Sequence, residues 1–200
     1  MQSIWSAPSL LGDSRLLLPT AFLLIGVGLR QSHQWAGRWA LGLATAGLVT
    51  LASKLAFLGW GVGVARLDFT GFSGHAVMST AVWPVLLYVA MPPGAASRWA
   101  AFAGLMLAAG IAYSRLPLGA HSLSEVTSGW FLGALGSACA FHASREHRRL
   151  QPRWLALALG LGICVPMAFP QVHTHQMVVK LAKTLSGSMK EFDRATLHRR

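Results

Sequence analysis

Ser114-Arg115-Leu116-Pro117-Leu118-Gly119-Ala120-His121-Ser122-Leu123-Ser124-Glu125 is a polar interval between two apolar blocks, and Phe72-Ser73-Gly74-His75 is its counterpart upstream. Both stand where an apolar run begins or ends, so each is expected at the mouth of a helix. A histidine four residues before a carboxylate shares its helix face, so Glu125 can take a hydrogen bond from one ring nitrogen of His121. The other nitrogen is then left as a lone-pair nucleophile. Ser73 and Gly74 open the next apolar run and offer backbone N–H groups at a helix N-terminus, a natural phosphate seat. Arg115 adds a planar fork of donors suited to phosphoryl oxygens. These residue types in this pattern point to phosphoryl transfer without a metal.

The rest of the chain describes the setting. Of its 200 residues 54% are hydrophobic and only 12% charged, and the mean hydropathy is +0.49. That profile belongs to an integral membrane protein and excludes an ordinary soluble domain. The formal charge of +11 would suit nucleic acid. However, the basic residues sit between apolar spans rather than on one soluble face, so membrane lipids are the expected partners and nucleic acid is not. Cys139 and Cys164 fall inside apolar runs without metal or redox spacing and read as buried thiols. Residues 1–15 carry no basic n-region or small-residue cleavage site of a signal peptide.

Apolar runs cover residues 16–29, 39–60, 75–91, 99–113, 121–142 and 154–169. They predict an all-α, polytopic membrane bundle of about six transmembrane helices, with the active site at the helix mouths on one membrane face. Pro19 is tolerable if it lies in a first turn. Gly59, Gly61 and Gly63 read as a flexible re-entry, and Pro92-Pro93-Gly94 as a stop. Small residues of the fifth run, among them Gly129, Gly133 and Gly136, permit close helix packing. Residues 1–170 form the bundle in this reading, and 171–200 a basic tail. Within the tail Val178, Leu181, Ala182 and Leu185 recur at helical spacing, as expected of a helix lying on the membrane surface. His173 and His175 lack a third ligand for a metal. His33, His142 and His147 read as polar residues of loops and helix ends.

Arg38-Trp39, Arg98-Trp99 and Arg153-Trp154 open the second, fourth and sixth runs. Arginine favours the cytoplasmic side and tryptophan the interface, and Arg30, Arg145, Arg148 and Arg149 join the same side. The opposite side holds Arg66 and Arg115. This asymmetry places both termini and the site outside the cytoplasm, in the periplasm of a bacterial inner membrane if the host is Gram-negative. Lys180, Lys183, Lys190, Arg194, Arg199 and Arg200 pull the other way. Lys54, late in the second run, reads either as a residue snorkelling to the interface or as a phosphate ligand. Arg66 and Asp68 read either as a pair in a solvated turn or, for Arg66, as a further phosphate ligand.

At these residues the chain resembles the type 2 phosphatidic acid phosphatase superfamily of membrane lipid phosphatases. The family carries Lys, six residues, then Arg-Pro; Pro-Ser-Gly-His; and Ser-Arg, five residues, His, three residues, Asp. The third motif is matched from Ser114-Arg115 to His121 and Glu125, with Glu for Asp, and the second by Phe72-Ser73-Gly74-His75, with Phe for Pro. Of the first only Lys54 is present, Gly61 standing where the family has Arg; the nearest guanidinium is that of Arg66.

The resemblance implies a lipid phosphatase that needs no cofactor. Its catalytic residues would be His121 as nucleophile, Glu125 as its partner, and His75 as acid and base. Lys54, Arg115, Ser73, Gly74 and, in place of the missing Arg, Arg66 would bind phosphate. The substrate would be a lipid phosphomonoester or diphosphate: undecaprenyl diphosphate, phosphatidylglycerophosphate, phosphatidic acid or a lipid A phosphate. The alternative is a relative that keeps the fold without catalysis, as a lipid-binding or scaffolding bundle.

Overall fold

A computed structural model describes residues 3–31, 33–142, 149–172, 174–187 and 192–199. They form nine α-helices and one 3-10 turn: α1 (Ser3–Leu10), α2 (Ser14–Arg30), α3 (Gln34–Trp60), the turn Ala65–Leu67, α4 (Gly74–Ala90), α5 (Ala95–Ser114), α6 (Leu123–His142), α7 (Pro152–Ala168), α8 (Thr174–Ser186) and α9 (Arg194–Leu197). The chain is an all-α bundle with no strand among the described residues; one isolated bridge joins Val64 and Phe69. Residues 4–30, α3 and α5 are each long and apolar enough to cross a membrane, and α4 and α7 are apolar helices of 17 residues. Arg145, Arg148, His147, His173, Lys190 and Arg200 lie outside the described residues.

α4 is the hub. Its residues from Ala76 to Val89 are buried almost without interruption, and α2, α3, α5 and α6 pack around it. Lipid offers no hydrophobic drive to bring helices together, so contact depends on how closely the backbones approach. Small residues provide that approach. A Cβ on Gly104 of α5 would lie 2.6 Å from Pro84 Cα, and one on Gly42 of α3 would lie 2.5 Å from the Gly136 carbonyl of α6. On the α4–α6 seam, a Cβ on Gly133 would lie 2.4 Å from Val77 O and 2.9 Å from Thr80 Cβ. Trp39 is wholly buried and donates from Nε1 to Ala81 O at 2.8 Å.

Several expectations are corrected. Trp39 is an interior anchor rather than an interfacial residue, because its indole N–H finds its acceptor inside the bundle; Trp99, at 71% exposure, keeps the surface role. Cys164 is exposed on α7, since that helix turns only Ala158 and Gly162 fully inward. Pro19 lies past the first turn of α2, which Asp13 caps by accepting from Arg15 N at 2.9 Å. The three glycines are not a flexible re-entry. Gly59 packs beneath Ser186 of α8 and Gly63 beneath Leu197 of α9. Gly61 (φ 69°) closes α3, donating to Phe57 O at 2.7 Å.

Gly133→Ala should destabilise the bundle by about 1–3 kcal/mol by overpacking the α4–α6 seam. Gly47 has no atom within 4 Å of an added Cβ, so Gly47→Ala should be neutral or stabilising by up to about 1 kcal/mol. Thermal unfolding of the two variants in the same detergent checks the contrast; equal effects would place the tight seam elsewhere.

Candidate active site

The chain's polar groups converge where α3 ends and α4 and α6 begin. Ser53 Oγ accepts from Phe72 N at 3.2 Å, tying the loop before α4 to the turn of α3 that carries Lys54. Gly71 (φ 139°) adopts a backbone conformation that side chains disfavour, and a Cβ there would lie 3.3 Å from Lys54 Cγ. Ser73 N then donates to Glu125 O at 3.1 Å, which registers the start of α4 against α6. Gly129 faces the same Ser73 backbone.

Glu125 reaches His121 through a capping box. Ser122 Oγ accepts from Glu125 N at 3.4 Å, and Ser122 N donates to Glu125 Oε2 at 3.2 Å, the reciprocal pair of a Ser-x-x-Glu helix start. The curled-back carboxylate takes the His121 Nδ1 hydrogen bond at 2.7 Å. α6 begins at Leu123, so His121 lies just before the helix, and the shared-face expectation is replaced by this local turn. The extra methylene of Glu is what lets the side chain fold back to its own helix start. Thr70 completes the seat, its N–H donating to Glu125 Oε1 at 2.7 Å and its hydroxyl to the same oxygen. Glu125 is 0% exposed.

His121 Nε2 makes no hydrogen bond among the described residues. Lys54 and Arg115 act electrostatically on the His121 ring, and His75 interacts in the same way with Arg115, His121 and Lys54. Neither the Lys54 nor the His75 side chain pairs with another described residue. Arg115 Nη1 donates to Ser9 Oγ of α1 at 2.5 Å, while its Nε is buried without a partner among the described residues, as is Ser73 Oγ. The first amides of α4, from Gly74 on, have no acceptor within their helix. Donors and cations of this kind can together accept a compact anion.

Two expected ligands are placed differently. Ser73's N–H is committed to Glu125 O, so the unpaired amides of this helix start begin with Gly74. Arg66 lies exposed on the 3-10 turn and pairs with no described residue. Asp68, its supposed partner, instead binds Arg194 and, at 2.8 Å, His198.

Sequence reasoning missed four participants: Thr70, Ser9, Asp13 and Arg194. Asp13 acts on His75 and Arg115. Its carboxylate accepts from the Arg15 N–H at 2.9 Å and from the Arg15 guanidinium at 2.7 Å. The capping box could have been read from Ser122-x-x-Glu125; nothing local announces the others.

The PAP2 superfamily profile matches residues 20–149, a range that includes Lys54, His75, Arg115, His121 and Glu125. The chain belongs to the PAP2 superfamily. Its members are generally phosphatases. A protein of Klebsiella pneumoniae described as "Uncharacterized 22.5 kDa protein in cps region" is 36% identical over 206 residues, which cover 98% of each chain. No solved structure matches.

Burial is the largest influence on His121 and lowers it below the ordinary 6.5; Lys54 and Arg115 add to this, and the Glu125 hydrogen bond opposes it. Nitrogen-15 resonances of the His121 ring in the detergent-solubilised protein should therefore titrate below pH 6.5. Removing the opposing carboxylate in Glu125→Gln should lower the midpoint further. A rise in that variant would mean that Glu125 does not act on the ring.

Proposed function

We propose that this chain is an integral membrane lipid phosphatase working through a phosphohistidine. One observation carries the reading: His121 has one nitrogen held by a buried carboxylate and the other without a hydrogen bond among the described residues, on a ring that Lys54, His75 and Arg115 influence electrostatically. Phosphate oxygens are bound by Lys54, Arg115 and the α4 amides from Gly74 on, which spread the charge that develops in transfer. His121 Nε2 attacks phosphorus, and the bond to the lipid oxygen breaks as His75 delivers a proton to it. The bound phosphate supplies the negative charge against which His75 holds that proton. Water then attacks the phosphohistidine, His75 takes its proton, and the P–N bond breaks to release phosphate. Glu125 stabilises the imidazolium-like ring at both steps.

The substrate is a phosphomonoester or diphosphate with an apolar tail that stays in the bilayer: undecaprenyl diphosphate, phosphatidylglycerophosphate, phosphatidic acid or a lipid A phosphate. Six helices, α2 to α7, are the spans in this reading, with the site on the periplasmic face of an inner membrane. The supporting arginines lie at the other end, Arg38, Arg98, Arg149 and Arg153 standing close to helix starts. A reporter fused after Arg149 should read cytoplasmic, and one inserted near Thr70 external; the reverse result would move the chemistry to the inner face.

Purified protein should release phosphate from at least one lipid of that panel, with vanadate inhibiting and EDTA without effect. His121→Ala should abolish turnover. His75→Ala should lose about 10²–10⁴-fold on a lipid phosphate, whose alkoxide needs a proton to leave. On a nitrophenyl phosphate that variant should give a burst of nitrophenol while phosphohistidine accumulates. Release from none of the lipids would favour the non-catalytic relative, and loss in EDTA restored by magnesium would sink the histidine mechanism.

A further inference from the structure

The C-terminal segment returns to the site. After α7 the chain crosses the site end of the bundle as α8, which starts beside α2, with Ser14 Oγ and Thr174 Oγ1 3.0 Å apart, and ends with Ser186 over Gly59 of α3. Phe192 N donates to Leu58 O at 3.1 Å. Asp193 caps α9 with a full capping box, and Leu197 is buried against Gly63. These contacts deliver Arg194, whose Nη2 binds Glu125 Oε2 at 2.9 Å, the same oxygen that takes the His121 hydrogen bond. Its Nη1 binds Asp68. Asp68 is the one non-glycine residue with positive φ among those described (φ 49°), a conformation uncommon enough to need a reason; here it faces Arg194 and His198.

We propose that Arg194 is a positioning residue for the reaction, clamping the carboxylate of Glu125 against His121 from a segment outside the matched family range. This rests on the phosphatase reading above. A fork of donors suits the task, because one guanidinium spans two carboxylates in a fixed geometry, which an ammonium does less well. Arg194 also shares the negative charge that faces His121, so it tempers the carboxylate's pull on the ring while keeping it ionised. The remaining groups around His121 are Lys54 from α3, His75 from α4 and Arg115 after α5, with Asp13 from the turn before α2 facing His75 and Arg115.

The test uses the full-length protein in detergent and two readouts. In Arg194→Gln, Thr70 and Ser122 keep the carboxylate near the ring, so loss of the shared cation should move the His121 nitrogen-15 titration to higher pH. With the lipid substrate, kcat should fall about tenfold or more with KM little changed, because alignment rather than binding is lost. The acid limb of kcat/KM should move with the titration. Arg194→Lys keeps the charge and should restore the titration and much of kcat. Arg199→Gln removes the same charge from an exposed residue without contact to Glu125 and should leave the titration in place. An unmoved His121 titration in Arg194→Gln would overturn the proposal, as would an Arg194→Lys variant no better than Gln. The titration needs no turnover, so a protein that releases phosphate from no lipid would refute the phosphatase reading while the link from Arg194 to His121 is still judged by its own measurement.

Discussion

A single carboxylate without solvent contact organises the functional end of this protein. An ion the size of Glu125 cannot be taken out of water unless donors replace its hydration, and a half-satisfied site would cost several kcal/mol. Here the replacement comes from four directions: the Thr70 loop, the Ser122 amide, the His121 ring and Arg194. Each belongs to a different part of the chain, or to a turn that must form first. Satisfying one buried charge therefore fixes the loop before α4, the start of α6 and the return of the tail at once.

The body of the bundle follows a different logic. In a bilayer the apolar side chains of α4 gain little by leaving lipid for protein, so what selects the arrangement is steric fit along seams of glycine and alanine. Gly42 against Gly136, Gly133 against Val77 and Gly104 against Pro84 set three such seams. They bring α5 and α6 close to α4 and α3 close to α6, and the residues at their mouths, Lys54, Arg115 and His121, are gathered as a result.

Much of this was legible in the order of residues. Apolar runs punctuated by Arg-Trp pairs and Pro-Pro-Gly gave the main helices to within a few residues, because helix and span lengths are set by backbone geometry. The contact between His121 and Glu125 was legible because the two stand at a fixed short spacing. Tertiary partners were not. Trp39 looked interfacial by composition and is interior because an acceptor on α4 meets its N–H. Arg66 was the guanidinium nearest the position of the missing family Arg, yet it stands exposed, and the guanidinium bound to Glu125 is Arg194, 69 residues away. Distance along the chain is a poor guide where a tail folds back over the bundle.

That both ends of the described chain touch the site has a practical side. Ser9 of α1 holds Arg115, and Arg194 of α9 holds Glu125, so dyes, affinity handles or crystallisation partners attached to either end would tug on both groups. The connection between α4 and α5 is the quieter choice. Its residues Met91 to Ala96 are exposed, and Gly94 leaves open space around an added Cβ. Cargo inserted there would project from the opposite end of the bundle, a full helix length from the chemistry.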